Sequence, residues 1–328
     1  MKVTEESILE LSRGFMASRV LLSAAELDLF TRLADAPMTA QQAADACGAA
    51  LRGMTILLDA LAALGLVEKT AGRYRTAPEA APLLSSRAPG SILPMVLHMA
   101  TVWRNLSEIT DIVRGATKPS LRRKGALAEE NRRAFIGAMH VVASRAAAGV
   151  VAAIAPGSAR RLLDVGGGPG TYTLAMLLAS PEMTATLFDL PAVVEIARER
   201  IQAAGLLDRV ALVAGDFYTD ELPAGHDLAL LSAIIHQNSP EQNAALYAKV
   251  FRALAPRGRI VVRDHVMAPD RTQPLEGALF AVNMLAGTDG GRTYTFAEIQ
   301  AGLAEAGFTR IRQLQDKGML SLVEGFKP

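Results

Sequence analysis

Two hydrophobic rhythms divide the chain. From residue 5 to about residue 157, apolar side chains return every three or four positions, the spacing of helices that bury one face. Ile8, Leu9, Leu11 and Phe15 open this run, and Val20, Leu21, Ala24, Leu27, Leu29 and Phe30 continue it. After Pro156, short apolar or β-branched runs at 161–165, 185–189, 210–214, 228–235 and 258–264 alternate with helical stretches. That alternation predicts a mostly parallel sheet covered by helices on both faces. The last runs, 308–315 and 319–323, have only a Gln-Asp-Lys-Gly turn between them, too short for a crossover helix. They are expected to pair antiparallel, as a hairpin. The predicted class is α/β, a Rossmann-like sheet ending in an antiparallel hairpin and preceded by a helical region.

Within the helical part, residues 31–78 read as a winged-helix unit. Thr39 can cap a short helix. A second helix over 51–64 meets Gly65 as its stop. Leu66-Val67-Glu68-Lys69, a turn at Ala71-Gly72, and Arg73-Tyr74-Arg75-Thr76 make a small hairpin. Such a unit serves either DNA binding or dimerisation. The would-be recognition helix carries only Arg52 as a base, whereas phosphate contact needs several Lys or Arg side chains, so a scaffold or dimerisation role is expected. Three segments follow: a helical, winged-helix dimerisation domain over 1–90, a helical linker contributing to a substrate pocket over 91–157, and a cofactor-binding domain over 158–328.

Composition narrows the classes. Half the residues are hydrophobic and 20% are charged, as in a globular protein. The 34 Lys and Arg against 33 Asp and Glu give no charge excess to draw nucleic acid or a membrane surface, and neither is expected as a partner. The apolar stretch 141–154 is broken by Ser144 and Arg145 and is too short to span a bilayer. The N-terminal residues lack the pattern of a secretory leader. Cys47 is the single cysteine, which excludes an intramolecular disulfide and a cysteine metal site and fits a reducing cytoplasm.

The chemistry sits at the strand ends. The first strand runs into Leu163-Asp164-Val165-Gly166-Gly167-Gly168-Pro169-Gly170-Thr171, a turn that lets backbone approach a ligand without a Cβ in the way. Alone, such a turn also suits nicotinamide and flavin sites. Asp164, beside the glycines, favours a cationic ligand and repels a pyrophosphate. Asp189, in Phe188-Asp189-Leu190-Pro191, offers an acceptor for ribose hydroxyls. Asp216 and Phe217, in Gly215-Asp216-Phe217, offer an acceptor for an adenine amino group and a surface for its ring. The three acids, in order at successive strand ends, point to S-adenosylmethionine.

From about residue 12 onward the chain resembles the plant-type small-molecule O-methyltransferases, the family of caffeate and acetylserotonin O-methyltransferases and of bacterial enzymes that tailor antibiotics and pigments. The three strand-end stretches carry the resemblance, together with Gly290-Gly291-Arg292 and the helical, winged N-terminal half. It implies a class I methyltransferase sheet, a homodimer, S-adenosylmethionine as cofactor, and methyl transfer to a hydroxyl of a small organic acceptor. His236 lies in the loop before a helix opened by Ser239-Pro240. A histidine there can take the acceptor's proton, since imidazole ordinarily titrates near pH 6.5, and the resemblance places the family's catalytic histidine at this position. Asp264 ends the next strand, where it would orient the imidazole; the family has a glutamate there, so this is a shorter equivalent. Its other reading is an ion pair with a neighbouring arginine.

The chain departs from the family at several positions. Gln237 and Asn238 stand where Asp-Trp is common, and Phe296 replaces a second acid beside the histidine. Ser232 stands where a lysine helps hold the cofactor carboxylate. The cofactor set is thus Asp164, Gly166, Gly168, Asp189, Leu190, Asp216, Phe217 and Ser232. Trp103, Phe135, Met139, His140, Phe280, Asn283 and Met284 are candidates for the acceptor pocket, with core packing as the other reading for the middle helices. No metal is expected. Two other functions stay open: C- or N-methylation with His236 orienting the acceptor, and a ligand-sensing regulator without catalysis. Asp164 and Asp216-Phe217 speak against nicotinamide chemistry.

Overall fold

Thr39 opens its helix as the sequence predicts, with its hydroxyl accepting from the Gln42 amide while the Gln42 side chain accepts from the Thr39 amide. This is one of many local signals that the computed structural model carries into three dimensions; it describes residues 2–117, 126–315 and 320–328, with the side chains of 126–134 and 142 not described. The chain divides into two compact units, Met1–Arg104 with Ala126–Val141, and Asn105–Gly125 with Val142–Pro328. The segment expected as a linker over 91–157 is therefore shared between the units.

The first unit opens with α1 (Glu5–Arg13), α2 (Phe15–Glu26) and α3 (Leu29–Asp35). The winged part follows as β1 (Met38–Thr39), α4 (Ala40–Cys47), α5 (Leu51–Ala63), β2 (Val67–Thr70) and β3 (Arg73–Thr76). After α6 (Ala81–Leu84) come α7 (Leu93–Leu106), α8 (Ile109–Val113) of the second unit, and α9 (Ala126–Ile154), which begins in the first unit and continues into the second. Gly65, left-handed at φ 74°, ends α5, and the Leu66 amide folds back to the Leu61 carbonyl at 3.0 Å. The predicted hairpin pairs Val67 with Thr76, and β1 adds a third strand against β3. Leu29, Phe30, Leu33, Met54, Leu58 and Leu61 fill the core. Ile8, Leu11, Phe15 and Met16 stay exposed on α1 and α2.

The second unit carries a seven-stranded sheet in the order β11-β12-β8-β7-β4-β5-β6. Its strands are β4 (Arg161–Val165), β5 (Thr184–Asp189), β6 (Val210–Ala214), β7 (His226–Ser232), β8 (Leu254–Asp264), β11 (Thr309–Gln315) and β12 (Ser321–Phe326); β9 (Val266–Met267) and β10 (Tyr294–Thr295) form a separate pair. The helices between them are α10 (Thr171–Ala179), α11 (Pro191–Ala203), α12 (Pro240–Ala253), α13 (Leu275–Gly287) and α14 (Phe296–Glu305). Strands β6, β5, β4, β7 and β8 run parallel, and β12 pairs antiparallel with both β8 and β11. The hairpin expectation thus holds for the strands, while residues 316–319 of its turn lie outside the described residues.

Alternation along the strands sorts side chains onto two faces. Leu162, Leu228, Leu230 and Val261 pack under α10, α11 and the end of α9. Leu163, Val165, Leu231 and Val262 pack under α12 and α14. Full burial of each such side chain is worth about 1.5–3 kcal/mol. The strand order reverses between β4 and β7, which opens a crevice at their carboxyl ends.

One strand ends earlier than its apolar run suggests. The expected span 228–235 stops at Ser232, where Ala233 takes φ 58° and a single 3₁₀ turn, Ile235–Gln237, follows. Ile234 and Ile235 are buried as a turn rather than as strand. That detour lifts His236 out of the sheet and over its edge.

Candidate active site

The glycine turn leaves β4 at Gly166, whose φ is 65°. A Cβ there would strike Ile234 Cδ1, so the side chain is excluded both by conformation and by contact. Gly168, by contrast, faces open space within 4 Å, and its amide donates to Asp189 Oδ2 at 2.8 Å.

Asp164 is buried under this turn, with Oδ2 accepting from the Thr173 hydroxyl at 2.6 Å. Burial pushes its carboxyl up to about 6, opposed by the Thr173 hydrogen bond and reinforced by the charge of Asp189. In the folded state this group holds its proton more tightly than an unfolded aspartate near 3.9, so stability falls as pH rises from about 4 to 6. Asp164→Asn removes that penalty. Its melting temperature should exceed the wild type's at pH 8, and the gap should narrow as pH falls below 6. A gap independent of pH in thermal melts would contradict the assignment.

Asp189 is held from both sides: Oδ2 takes the Gly168 amide and Oδ1 the Leu190 amide at 2.7 Å. Each oxygen keeps a lone pair free for a hydroxyl. Leu190 caps α11 and is largely exposed beside this carboxylate. In the next loop, Asp216 Oδ1 accepts from the Tyr218 amide at 2.9 Å, and the rings of Phe217 and Tyr218 meet at 4.6 Å. Phe217 Cε1 lies 3.7 Å from where a Gly166 Cβ would stand, which brings the β6 loop against the glycine turn.

Sequence reading missed what holds this loop. Lys249 Nζ, from α12, donates to the carbonyls of Phe217, Tyr218 and Asp220 at 2.9, 3.1 and 2.8 Å. The Tyr218 hydroxyl donates to Asn238 Oδ1 at 2.5 Å. Asn238, at one of the departing positions, is fully buried, donates to Asn243 at 2.9 Å, and accepts the Tyr294 hydroxyl on its carbonyl at 2.5 Å. It ties the β6 loop to the histidine loop. A solvent-exposed turn would carry the same letters, so nothing in the sequence marks this bridge.

Asp264 does reach the imidazole. His236 Nδ1 lies 2.8 Å from Oδ1 and 3.0 Å from Oδ2, and the His265 amide donates to Oδ1 at 2.7 Å. The carboxylate is 1% exposed. Burial alone would raise its pKa, but the charge and hydrogen bond of His236, with the amide and charge of His265, hold it below the ordinary value. The alternative of an ion pair with an arginine is not what the structure holds. His236 Nε2 makes no hydrogen bond among the described residues. Asp264 thus fixes one ring nitrogen and leaves the other pointing away from it.

Phe280 packs edge-on against His236, with centroids 4.8 Å apart, and stacks on His265 at 4.1 Å. Asn283 and Met284 follow one turn later on α13. Trp103, Phe135, Met139 and His140 belong to the first unit: Arg19 lies over the Trp103 ring at 4.9 Å, and Phe135 meets His98 edge-on at 5.3 Å. Phe296 begins α14 and packs into the sheet's hydrophobic cluster, with Thr295 as its cap. Ser232 faces Arg263 across the β7–β8 ladder.

The Gly290-Gly291-Arg292 segment backs the histidine loop. The Arg292 amide donates to the His236 carbonyl at 2.8 Å. A Cβ at Gly291 would meet Thr288 Oγ1, the His236 carbonyl at 2.5 Å and the Gln237 carbonyl at 2.9 Å. Gly291→Ala should therefore displace the imidazole, lowering turnover by about 10- to 100-fold while nucleoside binding changes little. An unchanged kcat would contradict this.

Comparison with known proteins places these features. The O-methyltransferase domain profile matches residues 114–309, and the O-methyltransferase dimerisation domain profile matches residues 9–86. The chain is 35% identical to 3-hydroxy-5-methyl-1-naphthoate 3-O-methyltransferase of Streptomyces sahachiroi, covering 97% of this chain and 94% of the relative. It is 34% identical to the tetracenomycin polyketide synthesis 8-O-methyl transferase of Streptomyces glaucescens, over 98% of this chain and 96% of that one. Human N-acetylserotonin methyltransferase, solved in complex with S-adenosylmethionine, superposes with a TM-score of 0.83 at 26% identity over 99% of each chain.

Proposed function

Because the chain belongs to the O-methyltransferase family, with both its methyltransferase and its dimerisation domain, we propose that His236 is the general base for methylation of a hydroxyl on a small, secondary-metabolite-like acceptor. The enzyme is an S-adenosylmethionine-dependent O-methyltransferase. The residues present suit that donor. The turn leaves open space at Gly168, which a Cβ would enter, and Asp189 keeps acceptor capacity at the end of the next strand. Asp216 and Phe217 follow β6, the strand beside β5, where they suit the adenine.

When bound, S-adenosylmethionine supplies a methyl group on a positive sulfur, which needs a nucleophile rather than an acid. The chain's part is to hold the two reactants in line and to remove one proton. His236 Nε2 would take the proton of the acceptor hydroxyl as its oxygen receives the methyl and the thioether is released. Asp264 stabilises the imidazolium that results and keeps its Nδ1 turned inward. Phe280 limits water around the ring.

The observation carrying this reading is the polarity of the dyad: Nδ1 bound to a buried carboxylate, Nε2 unpartnered among the described residues. Its test is transfer of a labelled methyl from S-adenosylmethionine into a panel of phenols, hydroxy acids, amines and keto acids. Labelled ether is the expected product; label on carbon or nitrogen would overturn the assignment of the base.

The apolar residues left exposed on α1 and α2 support a homodimer built through the matched dimerisation domain. Light scattering should give twice the chain mass, and Phe15→Asp should shift it toward the monomer. A wild-type monomer at micromolar concentration would refute the dimer. The near balance of charge and the single half-buried Cys47 support an enzyme of the cytoplasm that binds neither nucleic acid nor membranes.

A further inference from the structure

Arg263 is the only buried Lys or Arg among the described residues, at 6% exposed. Burying a guanidinium is costly unless it is paired. Arg259, four positions earlier on the same strand and face, is paired: it donates to Glu324 at 3.0 Å and to the Ala155 carbonyl at 3.3 Å. Arg263 has no carboxylate within ion-pairing distance among the described residues. Its one hydrogen bond there is long, 3.5 Å to Ser232 Oγ, and its guanidinium lies 5.1 Å from the centre of the Tyr172 ring. Asp264, next in sequence, faces the opposite side of the sheet and is engaged by His236.

A second polar group is stranded at the same place. The Tyr172 hydroxyl lies beside Ser232, yet it is buried with no hydrogen-bond partner of good geometry. Tyr172 is the second residue of α10, the helix that leaves the glycine turn. A nearly buried cation and a hydroxyl withdrawn from water, both short of an acceptor, converge at the ends of β7 and β8.

The direction in which the donor lies gives that spot an occupant. Its adenine belongs to the β6 loop and its ribose to Asp189 on β5, with the glycine turn following at β4. The sheet continues in the same direction through β7 to β8. The donor's remaining part is an amino acid, whose carboxylate is the acceptor both groups lack.

We propose that Arg263, with the Tyr172 and Ser232 hydroxyls, is the seat of the α-carboxylate of the methyl donor. This rests on the donor reading above. The guanidinium is the anchoring group, because a charge-assisted hydrogen bond outweighs a neutral one. The stacked Tyr172 ring holds it in place while the ligand is absent.

The test is calorimetric and needs no turnover. S-adenosylhomocysteine is compared with its decarboxylated counterpart, S-adenosyl-3-thiopropylamine, which keeps the nucleoside, sulfur and ammonium. Wild type should bind the carboxylate-bearing ligand at least 10-fold more tightly. Arg263→Met, which keeps the stem, should weaken S-adenosylhomocysteine by about 10- to 100-fold and shrink the preference to less than about 3-fold. Arg263→Lys should recover part of the preference. Equal losses for both ligands in Arg263→Met, or a wild type indifferent to the carboxylate, would overturn the seat and leave the donor reading intact. A wild type that binds neither nucleoside would overturn both. Should Arg263→Met fold poorly, the wild-type ligand pair and Arg263→Lys still decide the matter.

Discussion

Replacing His236 by alanine should lower methyl transfer by about 10²–10⁴-fold and leave the affinity for S-adenosylhomocysteine nearly unchanged. The split follows from geometry. The donor's assigned contacts come from the ends of β4, β5 and β6 and from Tyr172, Ser232 and Arg263, whereas His236 follows β7 in its own turn and touches Asp264 and Phe280. Removing the ring takes away the proton acceptor but leaves positioning, which itself supplies much of the rate. Single-turnover transfer of labelled methyl, with calorimetry of the nucleoside, separates the two. A loss below about tenfold would mean that the acceptor arrives already ionised or that His236 only orients it, and C- or N-methylation would regain standing.

Asp264→Asn should cost roughly 10²-fold in kcat, less than the loss of the base itself. The amide can still accept from Nδ1–H, so the tautomer survives in one of the two amide orientations. What disappears is the negative charge that stabilises the imidazolium. The same substitution has a stability signature of defined sign. The folded carboxyl lies below the ordinary aspartate value, so its stabilising contribution is complete above about pH 4 and is lost as pH falls through the lowered folded value. Wild type should therefore be the more stable protein at neutral pH, with its advantage fading in acid. Thermal melts from pH 7 to pH 3 check this; a constant difference would remove Asp264 from the titration.

The strand-end acids and the glycine turn were legible because they sit where an alternating fold must place them. The winged hairpin and the antiparallel pair were legible from turn chemistry and from a connection too short for a helix. The reach of Asp264 was not, because it depends on the register of β7 against β8 and on the turn at Ala233. Apolar periodicity carried the strand on to Ile235, since a buried 3₁₀ turn and a buried strand present the same letters over three residues. Lys249, Tyr218 and Asn238 escaped for a related reason: each works across elements distant in sequence, and each is unremarkable in its own neighbourhood. Arg263 is one of three charged residues in the run 258–264, and nothing in its sequence neighbourhood distinguishes it from Arg259. Only its missing partner, visible in three dimensions, sets it apart.

The position of β12 bears on how this protein is born. The last strand in chain order is not an edge strand; it lies inside the sheet, between β11 and β8. During synthesis, β4 to β7 and their helices can assemble as they leave the ribosome, and the glycine turn with them. Strand β8, which bears both Arg263 and Asp264, keeps an open edge until residues 321–326 arrive. A nascent chain should thus gain the nucleoside end of its donor site before Arg263 and the carboxylate that orients His236 are locked in place. Arrest or truncation before residue 321 would yield a chain that captures nucleoside weakly, turns nothing over, and offers an unpaired β8 to aggregation.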